Sequence, residues 1–345
     1  MKIGIGGLPQ SDLDEILINC QGLWESIKGS EILILGGTGF IGTWIVAGLQ
    51  NANRALSLDI KITVITRNEE NARIRYKAED LFEVEFVESD LRTSVKLKSR
   101  FYDFAIHAAT PSVPQNGFLD NSRVVNSTIS GIDLIGQIVL RRNSQLRFVH
   151  TSSGAVYGST INNQLQYFEK EVQLDDQTRT EYGDLKLLAE QSAFRYFAET
   201  PHQFANPRLF TFMGPYLALD QHFAIGNFLQ NGLSGNSIEI KGNPNSLRSY
   251  MYPTDLVTWI LHVMVNPNSS ALNIGSETQV SMLDLATAIS GVTSKKRIKQ
   301  MKPDSDINCY WPSTRKFQEH YGLSESIMLM EGLERWIIWL EKFKP

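Results

Sequence analysis

The stretch Glu31–Gln50 restricts the fold of this chain more than any other. Ile32-Leu33-Ile34-Leu35 is a short apolar run, the pattern of a strand buried on both faces. Gly36-Gly37-Thr38-Gly39-Phe40-Ile41-Gly42 follows, and then the helix-like Thr43–Gln50. In this GxxGxxG spacing Gly36 allows a tight turn, Gly39 lets a pyrophosphate approach the backbone, and Gly42 lets the helix pack close to the strand. The helix start, with Phe40 and Ile41, would then point free N–H groups at the anion. A purely structural glycine turn has the same residues, but the strand before and the helix after are the context that dinucleotide binding requires. Gly4-Ile5-Gly6-Gly7 has no preceding strand and reads as a loop.

Apolar runs recur at Ile60–Thr66, Val84–Val87, Phe104–Ala109 and Leu146–Thr151, with helical spacing over Arg123–Arg141 and Tyr182–Glu199 and another apolar stretch around Arg208–Phe212. Strands alternating with helices predict an α/β fold, a doubly wound parallel sheet of the Rossmann type. After about Gly214 the texture changes, and Gly, Asn, Ser and Pro cluster from Gly232 to Ser246. This divides the chain into an N-terminal helical extension (1–30), a dinucleotide-binding domain (31–213) and a smaller, mainly substrate-binding lobe (214–345) from which the chain can cross back to the sheet. The extension looks helical over Ser11–Lys28, as an extra helix packed on the sheet edge.

Composition narrows the function classes. The chain has 345 residues, 42% hydrophobic and 20% charged, enough to bury a core. Its 33 basic and 37 acidic side chains leave a net charge of −4, which argues against a nucleic-acid partner. Cys20 and Cys309 are far apart and in no metal-ligand spacing, so a reducing compartment and no metal are expected. No apolar run reaches membrane-span length and the N-terminus lacks a signal-peptide stretch, so the expected location is the cytoplasm, away from membranes.

Residues that could contact a cofactor follow the strand ends. The second strand ends in Thr66-Arg67-Asn68, without the acidic residue that binds the ribose of NAD. Arg67 could pair with a 2′-phosphate, favouring NADP, or be a solvated arginine. Asp90, followed by Leu91, could accept from an adenine amino group or cap a helix. His107-Ala108-Ala109-Thr110 places small residues where a cofactor would lie close, with His107 a packed residue rather than a base.

Tyr182 and Lys186 stand at i and i+4, on one helix face. Free tyrosine titrates near pH ~10, and a nearby ammonium favours tyrosinate. Ser153 lies in Ser152-Ser153-Gly154-Ala155-Val156-Tyr157-Gly158 directly after the fifth strand, at the carboxyl end where open α/β sheets bind ligands. Its hydroxyl could bond a reacting sugar oxygen; the segment could equally be a serine-rich turn.

In order along the chain, GGTGFIG (36–42), HAAT (107–110), SSGAVYG (152–158), YGDLK (182–186), Gly214-Pro215 and RSYMYPTD (248–255) resemble the extended short-chain dehydrogenase/reductases, in particular the NAD-dependent epimerase/dehydratase group acting on nucleotide sugars. The likeness runs from about Glu31 to the C-terminus. It implies NAD or NADP as cofactor, a nucleotide-diphosphate sugar as substrate, and a homodimer built on a four-helix contact. It makes Tyr182 the acid/base, Lys186 its partner and a ribose ligand, and Ser153 the residue orienting the sugar hydroxyl or ketone. It makes Arg248 a pyrophosphate ligand, a role that suits the guanidinium fork; without the family Arg248 reads as a surface residue.

The departures matter too. The family's dehydratases carry Asp-Glu after the Ser/Thr, where this chain has Gly154-Ala155, so ordinary 4,6-dehydration lacks its acid and base. Thr211 stands for a substrate-contacting Asn, Met213 for a Tyr, and Thr128 for an Asn of the helix after the fourth strand. The expectation is hydride transfer at sugar C4, as a 4-epimerase or 4-ketoreductase. The alternatives are a dehydratase with an unusual acid/base pair, a reductase of non-nucleotide substrates, and a non-catalytic NADP-binding regulator.

Overall fold

Six parallel strands form the central sheet: β1 (Glu31–Leu35), β2 (Lys61–Thr66), β3 (Val84–Glu88), β4 (Phe104–His107), β5 (Arg147–His150) and, after a short strand β6 (Ser152–Ser153), β7 (Gln203–Ala205). Their spatial order is β3-β2-β1-β4-β5-β7, the doubly wound arrangement that reverses direction beside β1. The structure is a computed structural model, and it describes all residues except 77–80, 82–83, 93–94, 96, 98–100, 111–120, 143–144, 159–165, 171, 173–175, 221–222, 294–296, 301–306 and 343–345.

Alternation along β1 explains its uninterrupted apolar sequence. Ile32 and Ile34 belong to one core cluster, Leu33 and Leu35 to the other, and all four are fully buried. Each face of the sheet is therefore covered by helices. The first face carries α2 (Phe40–Leu56) and α3 (Glu69–Tyr76), with α1 (Gln10–Asn19) in the same core cluster outside α2. The second carries α4 (Asn121–Arg142) and α5 (Glu181–Phe197), through Ile132, Ile135, Ala189 and Ala193.

Register sets the crest where a ligand would lie. Leu35 pairs with His107, and His107 pairs with His150. Gly36, Ala108 and Thr151, each the next residue, thus leave the sheet at one level.

The rest of the chain is α6 (Ala224–Ser234), α7 (Pro253–Val265), α8 (Met282–Val292), α9 (Arg315–Tyr321), α10 (Leu329–Lys342) and short strands. β8 (Arg208–Leu209) lies between β6 and β11 (Asn273–Ile274) in a parallel trio. β9 (Ile238–Ile240) pairs with β13 (Ile298–Gln300), and β10 (Leu247–Arg248) lies between β12 (Val280–Ser281) and β14 (Cys309–Tyr310). α7 begins on Pro253 at its first turn and packs against α2, β4 and β5. Among the described residues no helix is long and apolar enough to cross a membrane.

Several sequence expectations change. Helix α2 runs beyond Gln50 to Leu56, through polar residues that look like a helix end. Buried Asn53 explains this, since its amide donates to the Ile60 carbonyl and accepts from the Ile60 N–H. The leader is not one helix over Ser11–Lys28: α1 stops at Asn19, and Trp24–Ile27 forms a separate 3₁₀ turn. Nor does α1 sit on the sheet edge. It packs against α2 and α7, with Leu13 and Ile16 fully buried, and a Cβ on Gly48 of α2 would lie 3.3 Å from Ile16 Cγ2. Gly4–Gly7, read as a loop, contains a 3₁₀ turn packed beside α2 and α3.

Candidate active site

The glycine turn divides its work as its spacing predicts. Gly36 has φ +84°, and a Cβ there would lie 2.6 Å from Ala109 Cα. A Cβ on Gly42 would lie 2.2 Å from the Gly36 carbonyl oxygen. Both residues are thus required by the protein's own packing. Gly39 is not, because its Cβ would meet nothing closer than 3.4 Å. Gly39 is exposed, caps α2 without a side-chain hydrogen bond, and has its carbonyl tied by the Thr43 hydroxyl at 2.7 Å. The first turn of α2, with half-buried Phe40 and Ile41, has N–H groups without an intrahelical partner, and among the described residues no other hydrogen bond takes them. A dinucleotide pyrophosphate fits this bare helix start, flanked by half-buried Ala108 and Ala109.

Arg67 follows β2 and is exposed. Asp90 does not cap a helix, because among the described residues none follows it before β4. The Arg92 guanidinium and backbone N–H both donate to its carboxylate, which holds its pKa down at about 2. Leu91 turns its side chain into the second core cluster.

Helix α5 carries the Tyr182–Lys186 pair, and local sequence aims it. Thr180 caps the helix by accepting from the Gly183 N–H at 3.2 Å. A Cβ on Gly183 would lie 2.3 Å from the Ala155 carbonyl oxygen, so only glycine lets the first turn lie against the segment after Ser153. Arg179 fastens the same corner, donating to Asp184 at 2.6 Å and to the Val156 carbonyl at 2.9 Å. Tyr182 is thereby brought beside Ser153, whose hydroxyl favours the phenolate form. Ser153 Oγ also accepts from the Ala155 N–H at 3.2 Å.

Lys186 is buried on the same face. Its ammonium donates to Thr110 Oγ1 and to the Thr151 carbonyl, both at 2.7 Å, and lies 6.0 Å from the Tyr182 ring centre. The expected lowering of the phenol by this ammonium is not found. Burial pushes Tyr182 up to about 12, opposed only by the Ser153 hydroxyl. Burial also brings Lys186 down to about 7, against the supporting charge of Glu190. Desolvation is the largest cause for each group. His107 is a packed residue, as expected. It is buried with its Nδ1 3.2 Å from that of His150, and burial holds both imidazoles neutral, His107 at about 3.

Arg248 is half-buried on β10, and its guanidinium donates to the carbonyls of Leu247 and Asn308. It is paired in register with Tyr310. Tyr310 is a site residue that the sequence does not announce. Its phenol also lies beside Ser153, and a Cβ on Gly154 would lie 2.7 Å from its oxygen and 2.5 Å from Phe210 Cζ. Gly154, where dehydratases carry an acid, is thus fixed by two aromatic side chains. Glu190 is also missed, although its place two turns beyond Tyr182 is a readable signal. It forms a buried two-point ion pair with Arg208, at 3.0 and 2.9 Å, and accepts from Ser152. Of the departures noted in sequence, Met213 is fully buried and packs against Gly332 of α10, while Thr128 and Thr211 each bury a hydroxyl that has no hydrogen-bond partner among the described residues.

A doubly wound sheet whose first strand leads through a glycine turn into a helix is the architecture of the extended short-chain dehydrogenase/reductases. The NAD dependent epimerase/dehydratase family model matches residues 32–275, and the chain belongs to that family of enzymes. Among curated relatives, UDP-glucuronic acid decarboxylase 1 of Arabidopsis thaliana is 25% identical over 317 residues, covering 90% of this chain and 69% of its own. UDP-glucuronic acid decarboxylase 3 of the same plant is 25% identical over 307 residues, covering 88% and 86%. Among solved structures, MoeE5 with UDP-glucose and NAD superposes with a TM-score of 0.74 at 20% identity, covering 91% of this chain and all of that one. UDP-N-acetylglucosamine 4-epimerase from Methanobrevibacter ruminantium M1 reaches 0.76 at 19% identity, covering 91% and 99%.

Proposed function

We propose that this enzyme transfers a hydride at C4 of a UDP-linked sugar, with Tyr182 as acid/base, Lys186 as its charged partner and Ser153 orienting the reacting oxygen. The observation that carries this reading is the convergence of those three groups on the crest beside the bare start of α2. Gly36–Gly42, Ala108 and Ala109 would hold a nicotinamide dinucleotide, which would serve as hydride acceptor and donor. Tyr182 takes the proton of the C4 hydroxyl through its contact with Ser153, and Ser153 then polarises the C4 ketone. Burial holds Tyr182 protonated, so the phenolate that takes the C4 proton has to be stabilised as substrate binds; Lys186, 6.0 Å from the ring centre, is the cation beside it for this, and Arg248 binds the diphosphate of the substrate. Return of the hydride to the other face gives 4-epimerisation, and starting from a 4-keto sugar gives reduction. The curated relatives' names add a third outcome: in a uronic acid the C4 ketone is β to the C6 carboxylate, so oxidation at C4 prepares decarboxylation. Gly154 and Ala155 leave 4,6-dehydration without its usual acid and base.

NAD is the cofactor suggested by the family; exposed Arg67 after β2 could pair with a 2′-phosphate, so NADP is tested beside it. Exposed Leu188 and Phe194 on α5, 42% and 58% exposed, suit the four-helix homodimer contact that the family resemblance implies.

The test is conversion of UDP-glucose and UDP-glucuronic acid with each dinucleotide, with products read by NMR. Tyr182→Phe should lower turnover about 10³-fold or more while dinucleotide binding, read as thermal stabilisation, survives. A variant that keeps wild-type turnover, or a wild type that binds dinucleotide and converts no nucleotide sugar, overturns the reading. The latter result is what the regulatory alternative requires.

A further inference from the structure

Lys186 is held from two strands at once. Thr110 lies three residues beyond β4 and Thr151 directly beyond β5, and these strands are paired at His107 and His150. Both give the ammonium an acceptor at 2.7 Å, so a lysine from α5 ties together two neighbouring strand ends. The two acceptors differ in kind. The Thr151 carbonyl is main chain and would be there with any residue, whereas the Thr110 hydroxyl exists only because residue 110 is a threonine.

Other groups facing the amine come from each element around it. Glu190 and the Tyr182 ring are on α5, and the neutral His107 and His150 are on β4 and β5. Only Glu190 among them favours the charged form, and its carboxylate is already shared by Arg208 and Ser152. An ammonium has three donors, and the protein takes two of them. The direction of the third is fixed once those two acceptors are in place.

We propose that Thr110 is a positioning residue for catalysis, accepting from Lys186 so that the amine stays charged and directed at the crest. This rests on the reading of Lys186 as the partner of Tyr182. A buried lysine loses its proton more easily as acceptors are withdrawn, because the ammonium is the form they stabilise. Valine keeps the shape of threonine without the hydroxyl, and serine keeps the hydroxyl without the methyl.

The experiment uses the full chain with 13C-labelled lysine and follows the Lys186 signal, assigned by its loss in Lys186→Met, across pH. Thr110→Val should lower the titration midpoint by about one pH unit. Thr110→Ser should keep it near the wild-type value. In parallel, kcat for nucleotide-sugar conversion at neutral pH should fall roughly tenfold in Thr110→Val at little-changed KM and recover in Thr110→Ser. A Thr110→Val midpoint equal to wild type, or a Thr110→Ser protein that behaves like Thr110→Val, overturns the proposal. If the midpoint moves as expected while wild-type protein converts no nucleotide sugar, the lysine assignment stands and the proposed function fails.

Discussion

A lysine that is 2% exposed has given up the hydration of its ammonium, and two neutral acceptors and a shared carboxylate replace only part of it. Its pKa falls to about 7 in the folded chain and returns toward the ordinary value near 10.5 on unfolding. Below about pH 7 both states are protonated and the cost of burying the charge is fully present. Between the two values the unfolded state binds more protons, so stability rises with pH. Lys186→Met does not titrate. Thermal melts of the two proteins should therefore show wild type gaining on the variant from pH 7 to 9.5, and a constant difference would mean that Lys186 titrates normally. The residues legible in sequence were those constrained by backbone or spacing: Gly36 and Gly42 by close approach, Tyr182 and Lys186 by one helical turn. Tyr310 was not legible, because a two-residue strand paired with Arg248 brings it to Ser153 from 157 positions away in sequence numbering (310 − 153). The i,i+4 spacing of Tyr182 and Lys186 reports their proximity and says nothing of how strongly each group is desolvated, so it does not reveal the raised phenol.

Among the elements, α1 shows what periodicity can and cannot reveal. Leu13 and Ile16 announce an apolar face, yet the same face would serve against a sheet edge or against two helices. The choice of α2 and α7 rests on Gly48, whose missing side chain lets Ile16 approach. This element precedes the matched family region, which begins at Ile32, but its contacts make it part of the main core. Leu13→Ala should therefore destabilise the protein by about 2–5 kcal/mol, the range for emptying a fully buried leucine site. Urea unfolding would read this, and a loss below about 1 kcal/mol would mean that the leader is a loosely attached appendage. The strands of the sheet were legible as apolar runs, whereas the sixth, Gln203–Ala205, was not. Its three residues are too short to show a pattern, and Pro207 turns the stronger apolar stretch at 208–212 away toward β6.

For the whole molecule, the two ends of the chain meet at one buried charge. Asp12 of α1 is 1% exposed and accepts from the Tyr252 hydroxyl at 2.7 Å and from Arg335 of α10 at 3.0 Å. Arg335 also donates to both carboxylate oxygens of Glu15, at 2.6 and 2.9 Å, and to Glu331, each more exposed than Asp12. Tyr252 immediately precedes α7 and lies four residues beyond Arg248, so this contact joins the leader, the C-terminal helix and the segment entering the candidate substrate site. Burial raises the Asp12 pKa, opposed by Tyr252 and Arg335. Removing Arg335 raises it further, and a carboxyl raised on folding destabilises wherever it is charged in the unfolded chain, above about pH 4. Arg335→Met should thus cost about 2–3 kcal/mol at pH 7, below the full value for breaking a buried pair because Arg335 is partly exposed. The loss should shrink toward pH 4, where Asp12 is protonated more nearly alike in both states. Adding Asp12→Asn should recover part of it, because no buried carboxylate then remains without its cation. Denaturant unfolding of wild type, both single variants and the double variant at the two pH values measures this coupling directly. Strictly additive single effects, or a loss independent of pH, would show that Arg335 acts through its packing and that the ends of the chain are not joined by this charge.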